Sequence, residues 1–366
     1  MPDTATATVL SPDDLLFQPV RLGALALRNR IVMSPMTRSR AGEGDVPTAL
    51  HAEYYGQRAS AGLIVTEGVQ PSPAGKGYCR TPGIYSEAQV EGWRQVADRV
   101  HAGGGLVVLQ IMHCGRIGAR VNKDDDSEIV APSAIRARAK IFTDVSGLVD
   151  IEEPRALTLE EIPGVIEEFR QAALNARRAG LDGVELHASS GYLPMQFLSS
   201  NTNQRTDRYG GSAENRIRFV VEVLQAMGEA IGFDRIGLRV SPGLDYNDIH
   251  DADPAETYGL LFDRVSPMGL AYLHLVYRDY PQLDNYALAR ARWKGPLILN
   301  NELTGERAAR ILAEGGVDAV SFGRAFIANP DLVARLKNGL PLADYDRSLV
   351  YTPGPRGYTD YPTAPG

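Results

Sequence analysis

Residues 162–187 read IPGVIEEFRQAALNARRAGLDGVELH. From Ile162 to Ala179 the apolar side chains return every three or four residues, which marks an amphipathic helix. After Gly180 comes the short apolar run Gly183 to His187, which reads as a strand. The same alternation extends outward in both directions. Candidate strands are Ile31 to Ser34, Leu63 to Glu67, Leu106 to Ile111, Gly183 to His187, Ile236 to Val240, Tyr272 to Val276, Leu297 to Asn300 and Ala319 to Phe322. Most are apolar without strict alternation, as in parallel strands covered on both faces, and amphipathic stretches such as Gly305 to Glu314 separate them. No GxGxxG follows the first strand. Eight β/α units in unbroken rhythm predict an α/β fold, a single (β/α)8 TIM barrel rather than two dinucleotide-binding halves.

Two segments depart from that rhythm. Residues 122–154 are too long for an ordinary βα loop and are expected to form an excursion over the C-terminal face of the barrel. The tail, 340–366, rich in Pro, Gly and Tyr, reads as extended chain. The expected organisation is an N-terminal extension over 1–15, the barrel over 16–339 and that tail.

Composition narrows the function classes. The chain of 366 residues is 44% hydrophobic and 23% charged, with 38 Lys plus Arg against 45 Asp plus Glu and a net charge of −7. Such a balance offers nothing to a polyanion, so neither a nucleic-acid partner nor a membrane partner is expected. The two cysteines, Cys79 and Cys114, lack the spacing of a metal or iron–sulfur site, so no metal is expected either. The first residues lack the basic start and apolar run of a signal peptide, and no stretch of 18 apolar residues occurs. A cytoplasmic protein is expected, as monomer or homo-oligomer.

In such a barrel chemistry gathers at the C-terminal ends of the strands. Those ends carry Pro35, Met36 and Thr37; Glu67 and Gly68; Gln110 and His113; His187, Ser190 and Tyr192; Arg239; Asn300 and Asn301; Gly323 and Arg324. His187 and Ser190 can both donate to one carbonyl oxygen, and Tyr192 can supply a proton. A structural histidine capped by nearby hydroxyls is the alternative. Arg239 at a barrel mouth calls for an anionic partner, either a ligand or an interior carboxylate such as Glu185 or Glu67. The ends of the last two strands, with Gly323 and Arg324, suit a phosphate.

The segments PMTRSRA, TEG, QIMHCGR, APSAI, QRTDRYGGSAENRIRF, RVSP, FGRAFIANPDL and GYTDYP, in this order, resemble those of the Old Yellow Enzyme family, especially its N-ethylmaleimide and nitrate-ester reductase branch. The resemblance runs from Leu16 to Pro362. It implies non-covalent FMN held by Pro35, Met36, Thr37, Gly68, Gln110, His187, Arg239, Asn300, Asn301, Gly323 and Arg324. It also implies NADPH or NADH as reductant and an enone, maleimide or nitro compound as small-molecule substrate. His187, Ser190 and Tyr192 would be catalytic, with Tyr78, Met112 and Tyr351 also contacting substrate. Ser190 stands where the family usually has Asn or His, Met112 where Trp is common, and Asn301 where Gly is frequent. Other readings are a flavin-binding barrel with little turnover, a different flavin activity such as nitro or nitrate-ester reduction, and a flavin-free aldolase. The aldolase reading needs a strand-end lysine, which the chain lacks at those positions.

Overall fold

The computed structural model describes residues 11, 14–123, 127–280 and 282–364. The acidic run at 124–126, and all of the N-terminal extension except 11, 14 and 15, lie outside the described residues. Eight parallel strands close a barrel in chain order: β1 (Ile31–Met33), β2 (Leu63–Val69), β3 (Val107–Ile111), β4 (Gly183–Ala188), β5 (Ile236–Val240), β6 (Tyr272–Val276), β7 (Leu297–Asn300) and β8 (Ala319–Phe322). The predicted strands fall on these, four of them residue for residue. The predicted helices appear as Ile162–Arg178 and Gly305–Glu314.

The barrel interior changes character two residues at a time, the period at which side chains return to one face of a strand. Val32, Val108, Tyr272, Ile298 and Ala319 belong to an apolar cluster at the lower end. Two positions further along the same strands, or just beyond them, stand Ser34, Gln110, His274, Asn300 and Ser321. The chain is thus patterned for a dry floor and a polar upper layer. An N-terminal hairpin, Val20–Leu22 with Leu25–Leu27, plugs the floor through Leu22, Leu25 and Leu27. Its turn requires Gly23, at φ 55°, because a Cβ there would lie 2.3 Å from the Asp234 carbonyl oxygen.

At the upper end, residues 122–154 include the antiparallel hairpin Lys140–Thr143 with Gly147–Asp150. Ile141 and Ile151 join Met112, Cys114, Ile117 and Tyr192 in a small separate core, so this segment packs directly against the strand-end residues. The tail is more structured than its composition predicts. It contains the short helical turn Arg347–Leu349 and is held by buried guanidinium groups. Arg40 donates to the carbonyls of Leu349, Val350, Gly354 and Arg356, and Arg38 to those of Val350 and Gly357.

Candidate active site

Register places the chemistry. His187 on β4 stands opposite Arg239 on β5, Arg239 opposite His274 on β6, and Glu185 on β4 opposite Gln110 on β3. Gln110, Glu185, His274 and Arg239 form one buried hydrogen-bonded layer, with His187 beside it. Gln110 Nε2 donates to Glu185 Oε1 at 2.8 Å, and His274 Nδ1 lies 2.8 Å from Glu185 Oε2. Arg239 reaches His274 Nε2 at 2.6 Å and donates to Asn300 Oδ1 at 2.9 Å. Asn300 in turn donates to Ser34 Oγ at 3.0 Å. Burial, reinforced by Arg239, pushes the His274 pKa down to about 4, so the ring is neutral and bridges Arg239 to Glu185 without charge of its own.

Neither carboxylate offered as a partner for Arg239 pairs with it directly. Glu185 is reached through His274. Glu67 is turned away by a register shift in β2 between Val65 and Gly68; it accepts instead from the Tyr55 hydroxyl and the Arg38 amide. Burial lowers the pKa of the Arg239 guanidinium, which is 8% exposed. A cation so placed favours a ligand that carries or gains negative charge.

Above this layer opens a cavity of about 630 Å³, within the roughly 300–1,000 Å³ usual for small-molecule sites. Pro35, Met36, Thr37, Gly68, Gln110, Met112, His187, Ser190, Tyr192, Arg239, Arg324 and Tyr351 all line it. Its charged liners among the described residues, Arg239, Arg324 and Arg347, are all cationic. Asn300, Asn301 and Gly323 line an adjoining cavity of about 480 Å³, which Arg324 shares. One expectation needs correcting: Tyr78 is not in the main cavity wall. Its hydroxyl lies behind Tyr192, 3.1 Å from the Tyr192 hydroxyl.

Local structure explains how β4 and the turn after it bring three side chains to the cavity within six residues. After Ala188 the chain turns sharply, with Ser190 at φ 59° and Gly191 at φ 80°. A Cβ on Gly191 would sit 2.8 Å from Asn247 and from the Tyr246 carbonyl, so glycine is required. Asn247 Nδ2 donates to the Ser190 carbonyl at 2.8 Å and braces the strained residue. Tyr192 then starts the helical turn Leu193–Leu198. The His187 and Tyr192 ring centroids are 5.1 Å apart.

Electrostatics assign the protonation states. Burial, and then the nearby Arg239 charge, lowers the His187 pKa to about 3, so the imidazole is neutral and offers one N–H. Its Nδ1 is buried without a partner. Burial, and then Tyr78, raises the Tyr192 pKa well above the usual value, which keeps its proton in place at neutral pH. The Ser190 hydroxyl lies 3.3 Å from that of Ser189, which donates to Ser241 Oγ at 2.8 Å. Ser190 therefore shares its hydrogen-bonding capacity with a neighbour. Asn301, which stands where a flexible glycine is frequent, does not adopt a positive φ; its Oδ1 accepts from the Glu302 amide at 2.6 Å.

Tyr246, Ile327, Tyr345, Arg347 and Val350 complete the main cavity and were not anticipated. Tyr246 lies in a loop, Ile327 in the short helix Arg324–Ala328 and the other three in the tail, where no strand end flags them. His274 and Ser321 were also missed and could have been found, because each is a polar residue inside an otherwise apolar strand.

The residues fit a flavin mononucleotide. The main cavity offers a neutral donor, a protonated phenol and a buried cation without a directly bonded carboxylate, while Asn300, Asn301, Gly323 and Arg324 extend it towards a phosphate. Among the described residues no helix is long and apolar enough to cross a membrane, and no group of three His, Cys, Asp or Glu could hold a metal.

Comparison with known proteins agrees. The model of the NADH:flavin oxidoreductase / NADH oxidase family matches residues 15–343. A Leishmania infantum protein named "Probable flavin mononucleotide-dependent alkene reductase" is 41% identical over 355 residues, covering 95% of this chain and 97% of that protein. The 12-oxophytodienoate reductase 7 of Oryza sativa subsp. japonica is 39% identical over 371 residues, covering 95% and 94%. Among solved structures, morphinone reductase in complex with tetrahydroNAD superposes with a TM-score of 0.92 at 44% identity, covering 96% of this chain and 98% of that one. The barrel, its polar upper layer and these matches together show that the chain belongs to the NADH:flavin oxidoreductase / NADH oxidase family, the Old Yellow Enzyme family of FMN-dependent, NAD(P)H-using oxidoreductases.

Proposed function

We propose that this enzyme reduces the activated C=C bond of enones, maleimides or nitroalkenes, with the substrate oxygen held at His187 and Ser190 and the proton supplied by Tyr192. The observation that carries the reading is the placing of a neutral histidine, a protonated tyrosine and a buried arginine around one cavity. Pro35, Met36, Thr37, Gly68 and Gln110 would hold the flavin ring, and Asn300, Asn301, Gly323 and Arg324 its phosphate tail. When bound, FMN supplies two-electron hydride transfer, from a nicotinamide to itself and then to the acceptor's β-carbon.

Arg239 would favour the negative charge that a bound flavin gains on reduction, and the His274–Glu185 pair beneath fixes the guanidinium's orientation. The His187 N–H, helped by the Ser190 hydroxyl, polarises the acceptor's oxygen and stabilises the charge that develops there. Tyr192 gives its proton to the α-carbon, with the Tyr78 hydroxyl accepting or donating behind it. Met112 and Tyr351 form sides of the acceptor pocket. Because both half-reactions use one cavity, the nicotinamide leaves before the acceptor enters. The buried, unpaired Cys79 and Cys114 suit a reducing cytoplasm.

Purified protein is expected to be yellow and to release FMN, not FAD, on denaturation. Anaerobic NADH or NADPH should bleach it, and 2-cyclohexenone should restore the colour. Protein that takes up no FMN, or reduced protein that no enone, maleimide or nitroalkene reoxidises, contradicts the proposal.

A further inference from the structure

The adjoining cavity, which the FMN reading above assigns to the phosphate tail, contains a carboxylate. Glu302 lines it together with Asn301, Gly323 and Arg324, and Glu302 Oε1 lies 3.0 Å from Arg324 Nη1. Arg278 is the other charged liner, so Glu302 is the one acid among the described lining residues. Its loop is fixed at the backbone, since the Asn301 side chain accepts from the Glu302 amide. The side chains of Glu302 and Arg324 are 77% and 65% exposed. An ion pair so exposed contributes little to folding. Its consequence falls on ligand binding.

We propose that Glu302 opposes binding of the cofactor's phosphate, both by occupying Arg324 and by repelling the incoming charge. A phosphate monoester carries nearly two negative charges at neutral pH and takes arginine as a bidentate partner. To gain Arg324 it must displace a carboxylate that remains tethered beside it. The flavin ring carries no such charge and binds in the other cavity, so the penalty belongs to the phosphate alone. Glu302 thus sets how tightly FMN is retained, and it lowers the enzyme's preference for the phosphorylated flavin over the unphosphorylated one.

The test uses enzyme stripped of flavin by dialysis and titrated with FMN or riboflavin, read by quenching of flavin fluorescence. Glu302→Gln should tighten FMN binding about three- to tenfold at low ionic strength, and Glu302→Lys should tighten it further. Both gains should shrink as salt is raised to about 0.5 M, where screening shortens the reach of exposed charges. Riboflavin affinity should be the same in all three proteins. Equal changes for FMN and riboflavin, or no change in FMN affinity in either variant, overturn the proposal while leaving the FMN assignment intact. Wild-type protein that binds neither flavin refutes both.

Discussion

Replacing His187 with Ala should slow reduction of an enone by about ten- to a hundredfold while leaving flavin reduction by NAD(P)H much less affected. A hydrogen bond to a group that gains charge in the transition state is worth roughly 1.5–3 kcal/mol, which converts to that range. Ser190→Ala should cost less, because the Ser190 hydroxyl is shared with Ser189 whereas the His187 imidazole has no hydrogen-bond partner among the described residues. The charge state of His187 adds a second signature. With its pKa lowered to about 3, the ring stays neutral throughout the working range. The dissociation constant of a neutral enone should therefore be flat from pH 5 to pH 8. An inflection near pH 6.5 that disappears in His187→Ala would show an imidazolium instead, and a Ser190→Ala loss as large as that of His187→Ala would make the serine an equal donor.

The tail should prove to be part of the active site's architecture. Arg40 is 4% exposed and donates to five backbone carbonyls, four of them between Leu349 and Arg356, with its guanidinium 4.6 Å from the Tyr358 ring centroid. Tyr345, Arg347, Val350 and Tyr351, which line the cavity, precede or overlap the segment it grips. Arg40→Ala leaves several of those carbonyls without a donor and removes buried packing, at a cost of about 3 kcal/mol. Urea unfolding should show that loss, and limited proteolysis should cut after residue 340 sooner than in the wild type. Neutral acceptors should also bind more weakly as the wall loosens. A loss under about 1 kcal/mol with unchanged proteolysis would mean that the tail is held without it, by Arg38 and by Arg80, which donates to the Tyr351 carbonyl at 2.9 Å.

How much of this could be read from the chain depends on whether a residue's role is set locally. The strands were legible because each is a short apolar run, and the strand-end residues His187, Arg239 and Asn300 because polar groups there break the apolar pattern. Tyr345, Arg347 and Val350 were not, since the tail that carries them is placed by Arg38 and Arg40, more than 300 residues away. Tyr78 was expected in the pocket wall, yet its position depends on the small core formed with the 122–154 excursion, whose packing no local pattern reveals. Glu67 looked like an interior partner for Arg239 until the irregularity in β2 turned it towards Tyr55 and Arg38.

The most direct test of the central claim, that one cavity carries both half-reactions and Tyr192 serves only the second, is anaerobic stopped-flow on Tyr192→Phe. The substitution removes the acidic proton and keeps the ring that packs against His187. Flavin reduction by NAD(P)H should proceed within about twofold of wild type, since hydride transfer to the flavin needs no proton from Tyr192, and reoxidation by an enone should slow by at least about tenfold. Slowing of both half-reactions to the same extent, or of neither, would contradict the role given to Tyr192 and with it the account of how this cavity reduces an alkene.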